Sequence, residues 1–297
     1  MDVLVVGGTG FVGTHLSTAL RERDQQVTAM ARTPDETTVP AGVKTVTGDV
    51  TDYDRLVEVL PDYDAVVHLV SLSPLYEPRG GRDAHEHVTV GGTRTLVRAM
   101  ADVGIDRLLF QSALGADPNG PTAYIRTKGR AEGIVRSSDL DWTILQPSVI
   151  FGDGDEFVGF TRLLTTPYLT ALPGGGRTKF EPIWVGDFCQ IAIEALTDPS
   201  HIHETYEIGG PEVFTLAEVA TAIYEADGRS LRVLPIPMLF ARIGLTVASP
   251  IPVIPFGPDQ YRSLTFENVT DENAVASFGL DTGDLRSFSS YLAGNEV

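Results

Sequence analysis

Tyr124 and Lys128 are the two residues of this chain whose spacing carries most chemistry. Four apart on a helix, their side chains share a face. A lysine ammonium beside a phenol stabilises the phenolate and draws its pKa down from about 10 toward neutrality. A phenol tuned in this way passes a proton to or from a substrate oxygen. The chain has nine tyrosines but only three lysines, Lys44, Lys128 and Lys179. With those numbers an accidental Tyr-x-x-x-Lys is expected only about 0.1 times. Elsewhere the chain uses arginine, which cannot substitute for a titrating ammonium. Ser112 closes the apolar run Arg107 to Gln111, where its hydroxyl can bond the same oxygen. The competing role for Tyr124 is packing at a helix start.

These groups need elements that hold them against a cofactor, and the opening residues provide the first. MDVLVVGGTGFVG reads as a strand, Val3 to Val6, then a glycine-rich turn, then a helix with Val12, Leu16, Ala19 and Leu20 on its apolar face. Gly7, Gly10 and Gly13 stand three apart. Glycine lets a phosphate approach the main chain, and the following helix aims N–H groups and its positive dipole end at that phosphate. A glycine triplet alone is a weak signal, but strand before and helix after is the context that dinucleotide binding requires.

Further strands follow at Val27 to Ala31, Val43 to Thr47, Ala65 to Leu69, Arg107 to Gln111 and Trp142 to Gln146, with helices between them. This alternation predicts a parallel, doubly wound α/β sheet. Its ligand crevice lies beyond the carboxyl ends of the strands, making Asp49, Val50, Val70 and Ser71 cofactor-facing candidates. Asp49 is equally suited to capping the next helix. At the end of the second strand stands Arg32, where an acid would select NAD; an arginine suits the 2′-phosphate of NADP. The alternative is a surface arginine without a ligand. The proline- and glycine-rich stretch from Ser71 to Asp83 reads as a loop at the site mouth.

Forty acidic against 22 basic residues give a net charge of −18. That excludes a basic nucleic-acid interface, and with so few lysines it resembles proteins from salt-loving organisms. An acidic protein of low-salt origin is the alternative. The lone Cys189 lies in the apolar run FCQIAIEAL and reads as a core thiol. The pairs His85/His87 and His201/His203 are two apart, off one helical face and without carboxylate or cysteine clusters, so no metal site is expected. The first strand begins at once, which predicts no signal peptide and a reducing, cytoplasmic location.

In order along the chain, GGTGFVG, the Asp49 turn, Ser112, Tyr124-x-x-x-Lys128, WTILQPSVIFG, EPIWVGDFCQIA and YEIGGPEVFTLAEVA resemble the extended or atypical branch of the short-chain dehydrogenase/reductase superfamily. Within that branch the chain is most similar to the group containing the accessory subunit of respiratory complex I with this fold. The resemblance implies a Rossmann domain of residues 1–150 plus about 181–210. A smaller C-terminal substrate lobe would comprise about 151–180 and 211–297. It implies Gly7, Gly10 and Gly13, with Thr9, Phe11 and Val12 of the same turn, around a pyrophosphate. Arg32 and Thr33 would sit at the adenosine phosphate and Asp49 and Val50 at the adenine. Val70 and Ser71 would line the nicotinamide ribose, and Pro147, Val149 and Ile150 the ring. Tyr124, Lys128 and Ser112 would be catalytic, with Lys128 also touching the ribose.

The cofactor implied is NADP, with NAD as the alternative. Two features depart from the family pattern: Thr89 stands where an asparagine is common, and QSALGA replaces the usual serine stretch. The implied activity is a reductase, dehydrogenase or epimerase acting on an apolar or quinone-like carbonyl. Its rivals are a cofactor-holding assembly protein and a redox-sensing regulator. The segment 235–260, apolar and broken by prolines, is too short to span a bilayer. It reads as a pocket lid, a membrane- or respiratory-complex-contacting surface, or core.

Overall fold

The computed structural model describes residues 1–34, 39–76, 78, 80–236, 258–263 and 266–294. Seven parallel strands form its main sheet: β1 (Asp2–Val6), β2 (Gln26–Ala31), β3 (Lys44–Thr47), β4 (Ala65–His68), β5 (Arg107–Gln111), β6 (Asp141–Pro147) and β7 (Glu204–Ile208). Their order is β7-β6-β5-β4-β1-β2-β3. Strands buried on both faces explain why β1 is apolar without alternation. Val3 and Val5 face a core with Leu16 and Leu20 of α1 (Phe11–Glu22), whereas Leu4 and Val6 face Leu56, Leu96 and Phe110.

After β3 the chain returns across β1 to lay β4 on its other side. That reversal opens a crevice beyond the carboxyl ends of β1 and β4. The helices α2 (Tyr53–Val59), α3 (Gly92–Val103) and α4 (Ala123–Arg136) cover one face of the sheet. The chain enters α3 through a turn, Arg82–His85, and a π-helical segment, Glu86–Gly91. π-Segments often mark functional sites. On the other face α1 packs against α6 (Val185–Thr197), which follows α5 (Glu156–Leu164).

A second core joins Phe157 and Phe160 of α5 to Leu216, Val219 and Ile223 of α7 (Leu216–Ala226), with Phe151, Phe180 and Phe288. The N-terminus of α7 is held by a reciprocal pair: Thr215 Oγ1 accepts the Glu218 N–H, and Glu218 accepts the Thr215 N–H at 2.7 Å. Val275, Phe278 and Leu285 return to the α1/α6 core. Cys189 is buried there, and desolvation pushes its thiol up to about 12, as a core thiol requires. Residues 237–257 of the apolar 235–260 segment lie outside the described residues. No helix among those described is long and apolar enough to cross a membrane.

Candidate cofactor cleft and active site

The glycine turn is built by backbone crowding. Gly7 has φ +92, and its N–H donates to the Met30 carbonyl at 2.9 Å, tying the turn to β2. A Cβ at Gly13 would lie 2.4 Å from the Gly7 oxygen, and one at Gly8 would lie 2.6 Å from the Ala29 Cβ. Gly8 was not among the glycines singled out by spacing, yet the strand packing requires it. Gly10 differs: its Cβ would meet only the Gly7 oxygen, at 3.4 Å. Among the described residues nothing demands glycine there. Gly10 is also the N-cap of α1, and no side chain caps that helix end. Unpaired helix N–H groups beneath an open glycine form an anion cradle.

At the carboxyl ends of β2 and β3 a cavity of about 530 Å³ is lined by Arg32, Thr47, Gly48, Asp49, Asp52 and Arg55. Arg32 and Thr33 are exposed. The Asp49 carboxylate accepts the Thr51 N–H at 2.9 Å and the Thr51 hydroxyl at 2.8 Å, whereas Asp52 caps α2. Burial raises the Asp49 carboxyl, but these hydrogen bonds and the Arg32 charge bring it below its ordinary value. Arg55 donates to the Thr47 carbonyl and to Glu58. Val50 is buried in the core, where a Cβ on Gly92 would meet it at 2.6 Å.

Tyr124 and Lys128 lie along α4, which Thr122 caps through the Ile125 N–H at 3.2 Å. Their closeness does not produce the expected tuned pair. Lys128 is buried; its Nζ donates to the Gln111 carbonyl at 2.7 Å and stands 6.0 Å from the Tyr124 ring centroid. Burial draws the ammonium down to about 7 against the attraction of Glu132. Burial also pushes the Tyr124 phenol up to about 12; the Glu156 charge adds to this, and a hydrogen bond with Ser71 opposes it. Desolvation is the largest cause of both shifts.

Ser71, rather than Ser112, is the hydroxyl that lowers the Tyr124 phenol, and its Oγ donates to the Leu72 carbonyl at 3.4 Å. Ser112 continues the sheet through its N–H to the Leu145 carbonyl at 2.8 Å, while its Oγ is buried without a partner. His85 meets the Tyr124 ring edge-on at 6.2 Å. Thr89, in the π-helical segment, is buried with its Oγ1 unpaired.

Val70 touches the glycine turn, with its Cγ2 3.2 Å from a Cβ built on Gly7. Pro147 accepts the Leu114 N–H at 2.9 Å, and Ile150 pairs with Ile183. The Val149 N–H is taken by Asn268 Oδ1 at 2.8 Å, which leaves it no donor for a ring amide. Phe11 and Val12 are half-buried at the start of α1, and Thr9 is half-buried beside them. Phe11 reaches toward Gly152, within 3.6 Å of a Cβ built there. The histidine pairs do not converge: His201 stacks on Phe278 at 4.6 Å, and His203 bonds the Leu140 carbonyl. Among the described residues no cluster could hold a metal.

Residues 7–163 match the profile of a family described as NAD(P)H-binding. The chain belongs to that NAD(P)H-binding family. It is 29% identical over 301 residues to the mitochondrial NADH dehydrogenase (ubiquinone) 1 alpha subcomplex subunit 9 of Arabidopsis thaliana, covering 93% of this chain and 73% of that one. It is 27% identical over 246 residues to an NAD(P)H azoreductase of Xenophilus azovorans, covering 82% and 80%. In fold it matches a Thermus thermophilus UDP-glucose 4-epimerase solved with NAD, with TM-score 0.68 and 22% identity over 94% of this chain and 99% of that one.

The residues of this NAD(P)H-binding chain fit such a cofactor at two points. The open Gly10 at an uncapped helix start suits a pyrophosphate, and the partnerless Ser112 Oγ beside a buried lysine suits polar ligand atoms.

Proposed function

We propose that this protein is an NADP(H)-dependent oxidoreductase that reduces a carbonyl or quinone-like substrate. The observation that carries this reading is the Lys128 ammonium, 6.0 Å from the Tyr124 ring on the same helix, beside the partnerless Ser112 hydroxyl at the end of β5. The cofactor, when bound, supplies the hydride. Tyr124 then holds a proton for the substrate oxygen, and Ser71 orients the phenol. Ser112 offers a second hydrogen bond from the end of β5. Lys128 turns its ammonium from the Gln111 carbonyl toward the ribose. Gly7, Gly10, Gly13 and the N–H groups of Phe11 and Val12 cradle the pyrophosphate. Arg32, with Thr33 and Asp49 around it, selects the 2′-phosphate.

Tyr124→Phe should reduce NADPH-dependent turnover by about 10²–10⁴-fold and leave cofactor affinity nearly unchanged; Lys128→Met should damage both. Turnover that survives in Tyr124→Phe overturns the assignment. A second reading is a protein that holds its cofactor within a larger assembly. It draws support from the Tyr124 phenol, which desolvation leaves far from neutrality, and from the similarity to the Arabidopsis subunit. That reading expects no turnover with any carbonyl and slow cofactor release.

A further inference from the structure

One cation in the cofactor cleft comes from neither the glycine turn nor the end of β2. Arg55, in the first turn of α2, lines the same cavity of about 530 Å³ as Arg32. Its Nε donates to the Thr47 carbonyl at 2.8 Å, which anchors the guanidinium at the carboxyl end of β3. The stem passes close to Gly48, where a built Cβ would stand 3.6 Å from the Arg55 Cγ. Nη1 donates to Glu58 Oε2 at 2.5 Å. Among the described residues Nη2 has no acceptor.

The acids of that cavity are engaged elsewhere. Asp49 holds Thr51, and Asp52 accepts the Arg55 backbone N–H at 3.1 Å. Among the described residues neither acid forms an ion pair with Arg32 or Arg55. Glu58 does pair with Arg55, but its side chain is 71% exposed, and ion pairs in water hold weakly. Two guanidinium groups thus line one cavity, and neither is paired with an acid of its wall. Planar forks of this kind meet phosphate oxygens through charge-assisted hydrogen bonds.

We propose that Arg55 is a second determinant of cofactor choice, joining Arg32 on the adenosine 2′-phosphate through Nη2. The sequence motifs mark only Arg32, because Arg55 reaches the cavity from a helix rather than from a strand end. Glu58 opposes it, by holding Nη1 and repelling the phosphate. This rests on the NADP reading above and is independent of turnover.

The test is calorimetric titration of the full chain with adenosine 2′,5′-bisphosphate and with 5′-AMP, which differ only in the 2′-phosphate. The unsubstituted protein should bind the bisphosphate about tenfold or more tightly, the size of one or two charge-assisted hydrogen bonds. Arg55→Gln should compress that ratio to about threefold or less and leave 5′-AMP affinity within about twofold. A ratio that survives Arg55→Gln, or an equal loss for both ligands, overturns the proposal; equal loss would make Arg55 a strut or an adenine platform. Glu58→Gln keeps the Arg55–Thr47 bond and should widen the ratio about two- to fivefold. An unchanged or smaller ratio there also overturns it. A ratio near one in the unsubstituted protein defeats the NADP reading and this proposal together. A large ratio lost in Arg32→Gln but kept in Arg55→Gln leaves that reading standing and defeats this proposal alone.

Discussion

The two ends of the cleft are built on opposite principles. At the phosphate end, shape comes from backbone sterics: Gly8 and Gly13 are required by neighbours at 2.6 and 2.4 Å, and the turn is tied to β2 by Gly7. Among the described residues that turn holds no buried side-chain polar atom lacking a partner. At the catalytic end five such atoms gather on β4, β5 and the segment entering α3: His68 Nδ1, His85 Nδ1, Thr89 Oγ1, Gln111 Oε1 and Ser112 Oγ. Each unsatisfied group costs roughly 1–3 kcal/mol. Lys128 is pulled down to about 7 and Tyr124 pushed up to about 12 in the same region. The phosphate end leaves only backbone N–H groups open, at the start of α1, whereas the catalytic end gathers buried side-chain atoms without partners.

The largest effect on stability is expected at Lys128. Its folded-state pKa, about 7, lies below the ordinary 10.5. Between those values the unfolded chain binds more protons, so stability rises with pH across that window. Below about 7 the lysine is charged in both states and its burial cost is fully present; above about 10.5 it is neutral in both. Lys128→Met should therefore stabilise the cofactor-free protein on the order of 2–4 kcal/mol at pH 6, with the gain fading toward pH 10.5. Urea unfolding across pH measures it, and a loss of stability at pH 6 would show that this end is not strained.

The glycines sharpen the other side. Gly13→Ala should destabilise by roughly 1–3 kcal/mol, because the new Cβ meets immovable backbone. Gly10→Ala should leave the melting temperature nearly unchanged and weaken NADPH binding by about tenfold or more. Equal melting shifts for the two would remove the argument that Gly10 is reserved for a ligand.

At the adenosine margin Arg32→Asp should erase or reverse a preference for NADPH over NADH of roughly 1–3 kcal/mol. Cofactor fluorescence titration reads it, and equal affinities in the unsubstituted protein would refute NADP selection. The smallest effect per group is diffuse. With a net charge of −18, the melting temperature should rise by a few degrees, or about 1 kcal/mol, from low to molar salt as carboxylate repulsion is screened. A flat or falling profile would count against a salt-loving origin.

Residue type and short-range period were enough to locate the glycine turn, six of the seven sheet strands within about two residues, and the Tyr124–Lys128 pair on one helix. These features depend on neighbours a few positions apart, which fix backbone geometry and burial. The Asp49 turn was half legible: the carboxylate holds Thr51, and capping of α2 falls to Asp52 three positions later. Spacing alone could not separate two such aspartates.

What only tertiary structure decided depends on segments far apart in the chain. Asn268 claims the Val149 N–H across 119 positions, and Ser73 meets Glu156 across 83. Neither pair has any local pattern to announce it. The protonation balance belongs to the same class. The order of residues put an ammonium near a phenol and predicted mutual tuning. The packed fold instead buried Lys128, half-buried Tyr124 and turned Lys128 to the Gln111 carbonyl. Desolvation is a property of the whole surrounding volume, so it outweighed a neighbour that the sequence alone could name.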